Sequence, residues 1–455
     1  MSTQPVKFRI VGIGLTLAAL LAACATPPAP AAPGAATAAP AAPAAEAVQT
    51  DDNAPITVWI DDTRKPTVEA FKKKYPDKAA LLKVEVVDRG QFPAKVLLFN
   101  NTGKGWPDVV FCEPDCVAKV ADASRDYPLD LSDLVSKDIQ NNFAPGALAP
   151  CTFGGKLFCL RNDLAQNLLY YNKPLMEKFG YAVPKTWAEF EQLGVSVAKE
   201  HPGYIIGALD ESTLAHHYLW ASRCPLGQAL DANTVYINVQ DEKCLRAVKM
   251  LDNLLKVGSI AKVGPFDPSV AKIANENKLL LITGPSWFGE YVFGGKPDST
   301  YYKTAEGQLD TALPLKWDGE DKAYTGFWGG SAWTVSKHTK NPKLAVDFAV
   351  FASTATEYHG TGPTYPAYAP AAKEWRKTLQ GNKLYAQDPY PIFEQAAALI
   401  DPQIISLRYD DLAPFKAVTI PAITKGETIE STLAEVQKQL VAAAEAQGYT
   451  VVTKK

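Results

Sequence analysis

The stretch LLYYNKPLMEKFGYAVPKTWAEF, residues 168–190, changes pattern twice within a few turns of chain. Leu168 to Asn172 is an apolar and aromatic run of strand length. Thr186-Trp187-Ala188-Glu189 then sets a hydroxyl and a carboxylate at capping-box spacing, where each satisfies a free backbone N–H at a helix start. The same alternation extends outward in both directions. Toward the N-terminus, Ile56–Ile60, Lys83–Val87 and Asp108–Phe111 are short β-branched runs, separated by amphipathic segments near Pro66–Tyr75 and Pro93–Asn100. Alternation of this kind predicts parallel strands joined by crossover helices. Toward the C-terminus, Ile205–Leu209, Leu279–Thr283 and Thr311–Leu315 continue the set, and a helix from about Val239 to Val257 stops at Gly258. Phe327–Lys337 reads as a late strand, followed by a helix that Asn341-Pro342 opens and that runs through Phe351. Ile429, Leu433, Val436 and Leu440 share one face of a last helix, near Thr428–Gln447, ended by Gly448. The fold class is α/β with an α-rich C-terminal third, and a late strand added to an already built domain points to an interleaved two-lobe topology.

Composition narrows the function classes. The chain has 455 residues with 47% hydrophobic and 21% charged, enough for a large core and about two domains. Its 46 basic and 49 acidic residues balance to −3, and the longest Lys/Arg run is Lys72 to Lys74, which leaves no electrostatic footprint for nucleic acid. Lys7 and Arg9 precede an uncharged run from Ile10 to Ala23, the length of a signal-peptide apolar region and too short to span hydrocarbon comfortably. Leu21-Ala22-Ala23-Cys24 closes that run and resembles the bacterial lipobox, which makes Cys24 the expected lipidated first residue after removal of residues 1–23. Residues 25–46 hold 12 Ala and 6 Pro, a semi-extended tether rather than a helix.

Six cysteines follow: Cys112, Cys116, Cys151, Cys159, Cys224 and Cys244. An even count in an exported chain reads as three disulfides, and pairing of sequence neighbours is the simplest of the fifteen connectivities. The competing reading is a zinc site built from Cys112, Cys116, Cys151 and Cys159, whose spacings are looser than structural zinc sites commonly use. No other metal and no cofactor is expected.

Catalytic motifs are sparse. There is no G-x-S-x-G, no H-E-x-x-H and no phosphate-binding G-x-x-x-x-G-K. Ser196 to Lys199 and Ser269 to Lys272 match S-x-x-K, but no K-T-G follows either. A glycosidase needs only two carboxylates at the right separation, so the sequence leaves that enzyme class open. The aromatics carry more information. They gather beside Gly and Pro in His217-Tyr218-Leu219-Trp220, Gly284-Pro285-Ser286-Trp287, Gly326-Phe327-Trp328-Gly329-Gly330 and Pro363-Thr364-Tyr365. Gly and Pro at a strand end mark the rim of an open α/β sheet, where ligands bind. Large rings there make flat walls for the C–H face of a sugar or for an ammonium head, and nearby charged groups would fix orientation. The expected ligand-binding residues are Asp61, Arg64, Glu113, Asp115, Trp220, Trp287, Trp328 and Tyr365, with Trp287 the larger contributor of the two central tryptophans. Trp187 and Trp333 are assigned to core.

With Ile56-Thr57-Val58-Trp59, Gly105-Trp106-Pro107-Asp108-Val109-Val110-Phe111, Gly154-Gly155-Lys156-Leu157 and residues 168–190 together, the chain resembles the extracellular solute-binding proteins of ABC importers, in the sugar-binding branch that includes maltose-binding protein. The resemblance runs from Ile56 to Val452. It implies a periplasmic-binding-protein-like fold of two α/β lobes joined by a hinge of crossing strands, residues 54–163 plus 316–355 forming one lobe and 164–315 plus 356–455 the other, with 24–53 as anchor and tether. It implies capture of a small solute, a sugar or oligosaccharide, by lobe closure, and delivery to a separate permease by a monomer anchored outside the cell membrane. A polyamine or other cation is the alternative ligand, and a surface-anchored glycoside-degrading enzyme the alternative function. The ligand loops it implies are Asp61 to Arg64, Cys112 to Asp115, Trp287 and Trp328. Cys112 and Cys116 enclosing one of those loops is a departure from the family pattern.

Overall fold

The computed structural model describes residues 50–121, 125–294, 302–360, 362 and 364–454. The export segment, Cys24 and most of the tether lie outside the described residues. Eight strands build two main sheets: β1 (Ile56–Ile60), β2 (Leu82–Val86), β3 (Val109–Cys112), β4 (Leu160–Arg161), β5 (Asn167–Asn172), β6 (Leu281–Pro285), β7 (Leu309–Ala312) and β8 (Ala332–Val335). The first sheet has the order β2-β1-β3-β8-β4. β1 is parallel to β2 and β3, as the alternation predicts, because the helices Lys65–Lys74 and Phe92–Thr102 return the chain to the same edge each time. β8 is antiparallel to both β3 and β4.

The second sheet corrects the expectation of parallel strands. β5 is its centre, and β6 and β7 both run antiparallel to it. Period-two patterning is the same for either polarity, and the long helical connections between β5 and its partners conceal which way the chain comes back. Ile205–Leu209 is not a strand either. It makes isolated bridges, Ile205 to Leu279 and Ala208 to Ala261. Phe327–Lys337 is strand only at Ala332–Val335.

The helix starts follow local chemistry. Thr186 and Glu189 form the reciprocal capping box of the helix Trp187–Glu200. Gly258, at φ 83°, supplies the left-handed residue that ends Glu242–Val257. Helices Pro342–Thr354, Ala369–Leu379, Tyr390–Ala397 and Leu433–Ala446 make the C-terminal third α-rich. Among the described residues, no helix is long and apolar enough to cross a membrane.

Trp333 is fully buried against Phe111 and Phe348, and Trp187 is buried beside Trp317 and Tyr218. Burying a large apolar side chain contributes about 1.5–3 kcal/mol, so these rings anchor their sheets. The six described cysteines pair as neighbours, Cys112–Cys116, Cys151–Cys159 and Cys224–Cys244. Pairing consumes the thiols that the zinc reading of Cys112, Cys116, Cys151 and Cys159 required.

Three segments cross between the two sheets. Asn162 to Gln166 leaves β4 for β5, and residues 325–331 run antiparallel to it on the way to β8, tied by Asn167 N to Gly326 O, Trp328 N to Ala165 O and Asn162 N to Ser331 O. Residues 364–367 join them through Leu164 N to Tyr365 O. Gly330, at φ 74°, lies in this crossing, with Arg161 folded over it; the guanidinium donates to the carbonyls of Asp163 and Leu164 and covers the Phe327 ring at 4.7 Å.

Candidate functional site

Because β1 and β3 are parallel, the loops after them emerge on one rim, and the 325–331 segment reaches the same rim at the start of β8. A cavity of about 350 Å³ opens there, lined by Glu113 and Asp115 after β3, Trp328 in the crossing segment, Trp220, and Asp410 and Asp411 from the C-terminal third. Four of the residues expected from the sequence thus meet in one place. Cys112–Cys116 brackets the loop that presents two of them, Glu113 and Asp115.

The others sit differently. Asp61 caps the turn that follows β1, accepting from Thr63 N, and reaches the rim through Arg89. Arg89 lies 3.4 Å from Asp61 Oδ2 and 2.8 Å from Glu113 Oε1, and donates to Ser331 Oγ, so one guanidinium ties together the loops after β1, β2 and β3. Trp287 donates from Nε1 to the Trp328 carbonyl at 2.8 Å and packs parallel to Phe266, which places it behind Trp328 rather than on the cavity wall. Arg64 is buried over the Phe111 ring at 4.4 Å; burial opposes its charge, but Asp163, Tyr358, Asp61 and Tyr291 outweigh burial and hold it cationic. Tyr365 is buried in the crossing, against Trp375 and Tyr390, and does not reach the cavity.

Sequence reasoning missed Arg89, His216, Asp410 and Asp411. Arg89 opens the turn after β2, which Asp88 caps as Asp61 caps the turn after β1, so the strand-end argument would have found it. His216 sits in a π-helical turn, Leu214–Leu219, with its ring against Trp220; burial pushes its imidazole down to about 4, so it is neutral at pH 7. Asp410 and Asp411 lie in irregular chain with no periodicity to flag them.

The carboxylates are electrostatically crowded. Burial raises Glu113 against the pull of Arg89. Burial, with Asp115 and Asp410 close by, pushes Asp411 up to about 7, against the opposing pull of its own backbone N–H and of Lys119, which pairs with Asp115 at 2.8 Å. A carboxyl raised in the folded state binds its proton between about pH 4 and 7 while the unfolded chain has lost it. This term therefore favours folding at low pH and is lost as pH rises through about 7. Asp411→Asn, uncharged throughout, is expected to melt several degrees higher than the parent at pH 8, with a much smaller difference at pH 4.5. Identical shifts at both pH values in thermal unfolding would show that the charge carries no such burden.

Residues 67–402 match a family described as bacterial extracellular solute-binding protein. The arabinooligosaccharide-binding protein of Bacillus subtilis is 26% identical over 297 residues, 64% of this chain and 66% of that protein, so the match spans just under two thirds of that relative. The maltooligosaccharide ABC transporter solute-binding lipoprotein of Streptococcus pneumoniae is 24% identical over 366 residues, 76% of this chain and 81% of that one. In structure, the galacto-N-biose-/lacto-N-biose I-binding protein of Bifidobacterium longum, in complex with lacto-N-biose, superposes with a TM-score of 0.70 at 18% identity, over 89% of this chain and 100% of that chain. Likeness at that identity speaks to the fold, which is of the two-lobe periplasmic-binding type.

Proposed function

The chain belongs to the bacterial extracellular solute-binding proteins, and from that premise we propose that it captures a carbohydrate by lobe closure and hands it to the permease of an ABC importer. The observation that carries this reading is the cavity itself. Trp220 and Trp328 offer flat faces to the C–H side of a pyranose or furanose, and Glu113, Asp115, Asp410 and Asp411 offer acceptors to its hydroxyls. The sugar-binding names of the relatives support the same class. The lobes comprise residues 54–163 plus 316–355 and 164–315 plus 356–455, so Asp115 and Asp411 approach the ligand from opposite sides. Ligand then shifts a hinge equilibrium toward the closed form, and no bond is made or broken. Asp61, Arg64, Trp287 and Tyr365 support the site from outside the cavity wall. In this reading residues 1–23 are removed, Cys24 carries the lipid, and residues 24–53 tether the monomer, outside the cytoplasm, to the cell membrane; a lipoprotein among the relatives supports the anchor.

A second reading, a polyamine or other cationic solute, is favoured by one observation: four carboxylates face the cavity against the charges of Lys119 and Arg89. A thermal-shift screen over mono- and oligosaccharides, amines and amino acids separates the two, with product analysis on every hit to test for glycoside cleavage. With the stabilising ligand bound, solution scattering is expected to give a smaller radius of gyration than without it. Stabilisation by amines alone, or an unchanged scattering profile at saturation, contradicts carbohydrate capture by closure.

A further inference from the structure

The two walls of the 350 Å³ cavity carry their charges differently. On the wall after β3, each carboxylate has a cation beside it: Glu113 lies 2.8 Å from Arg89, and Asp115 lies 2.8 Å from Lys119. Such pairs are close to neutral, and the carboxylate oxygens they leave free still accept from hydroxyl groups. On the wall from the C-terminal third, Asp411 is half-buried and Asp410 lies at the exposed edge. Asp410 accepts from the backbone N–H groups of Leu412 and Ala413, and Asp411 from its own. Among the described residues neither is in an ion pair, and Lys119 acts on both from beyond contact distance.

Among the described residues that line this second wall, none supplies the missing positive charge. His216 is the nearest candidate, close to Asp115 and Asp410, but burial keeps its imidazole neutral, and its buried Nδ1 has no hydrogen-bond partner. Tyr409, buried beside Asp411, adds a ring and no charge. Trp220 and Phe327 complete the wall with ring centroids 5.1 Å apart. Once closure excludes water, a neutral solute would leave two neighbouring carboxylates against aromatic rings with no counter-charge, which opposes either their ionisation or the closure itself. A protonated amine removes that cost, and the same aromatic faces attract it.

Resting on the carbohydrate reading above, we propose that the solute is an amino sugar, its protonated amine held by Asp411 and Asp410 and its hydroxyls turned toward Glu113 and Asp115. Trp220 and Trp328 hold the sugar ring between the two walls, and His216 Nδ1 gives one hydroxyl a buried partner. Asp411 holds a proton in the empty cavity near neutral pH; as the ammonium group arrives the carboxyl ionises, and that proton passes to solvent.

Calorimetric titration of the full mature chain at pH 7 with matched sets of mono- and disaccharides tests this. Each set keeps one ring configuration (gluco, galacto or manno) and one linkage, and differs at a single carbon, C2 or C6, which carries an amine, an N-acetylated amine or a hydroxyl. In the sets that bind, the amine form is expected to bind at least about tenfold tighter than the other two, with an enthalpy that varies with the buffer because a proton is released. In Asp411→Asn, whose folding a melting curve confirms, the ratio of amine to hydroxyl affinity is expected to fall below about threefold. Putrescine and spermidine, which carry the charge without the ring, are expected to bind more weakly than the amino sugar. A hydroxyl or N-acetyl form as tight as the amine overturns the amine assignment and leaves the carbohydrate reading standing. So does an amine preference that releases no proton and survives both Asp411→Asn and Asp410→Asn. Putrescine or spermidine binding as tightly as every amino sugar, or no binding by any sugar, overturns both.

Discussion

Trp328→Ala is expected to weaken ligand binding by about 5- to 150-fold, or about 1–3 kcal/mol, while lowering the melting temperature far less than Trp333→Ala. The two rings lie five positions apart and differ in what surrounds them. Trp333 is fully buried in β8, packed on Phe111 and Phe348, with its Nε1 donating to Asn162. Removing it leaves a cavity that the sheet cannot close, a loss of about 3–5 kcal/mol. Trp328 is half-buried, forms part of the cavity wall, and holds Trp287 through its backbone carbonyl, which an alanine retains. What the alanine removes is apolar contact with the bound solute. Trp287→Ala should have a smaller effect on affinity than Trp328→Ala, because Trp287 acts by backing Trp328. Calorimetry and thermal unfolding on the three variants check the order. Normal affinity in Trp328→Ala, with a melt as poor as that of Trp333→Ala, would place the ring in the core and the ligand elsewhere.

Gly330→Ala is expected to destabilise the whole fold by about 2–5 kcal/mol. The residue needs a left-handed backbone, which alone disfavours any side chain by about 1–2 kcal/mol. A Cβ at this position also overlaps the Arg161 guanidinium and crowds the Asp163 carbonyl. Arg161 cannot swing aside at low cost. It is 1% exposed, burial already pulls it down to about 10, and its hydrogen bonds to the carbonyls of Asp163 and Leu164 would be left without a donor. Gly154→Ala is the matched control: it has φ 56° and no atom within 4 Å of the added methyl, so it should lose only the backbone share. Urea unfolding separates the two. Equal midpoints for both variants would mean that the crossing tolerates the methyl group and that Arg161 is looser than its contacts indicate.

How much could be read in advance depended on how local the determining chemistry was. β1, its crossover helix and the Thr186 capping box were legible because each is decided within a dozen residues by apolar spacing or by a side chain satisfying its own helix end. The direction of β6 and β7 was not, since it is decided by where helices of the second sheet dock. In the candidate site, strand-end position and ring placement anticipated that Glu113, Asp115, Trp220 and Trp328 would share one rim, whereas Tyr365, chosen on the same composition, lies in the crossing because its backbone is captured by Leu164. Asp410 and Asp411 became visible only once the C-terminal third was folded against the loop after β3.

The position of β8 has a consequence for how this chain is made. It lies between β3 and β4 in the first sheet, yet it is about 220 residues downstream of the end of β3. At synthesis rates of roughly 5–20 residues per second, β3 waits about 10 to 45 s and β4 about 10 to 35 s with open edges before their shared partner exists. Such edges are templates for pairing with other chains, and non-local pairing is slow even once the segment arrives. The first sheet therefore cannot be completed until β8 has been synthesised, which makes any fragment ending before Ala332 an aggregation hazard.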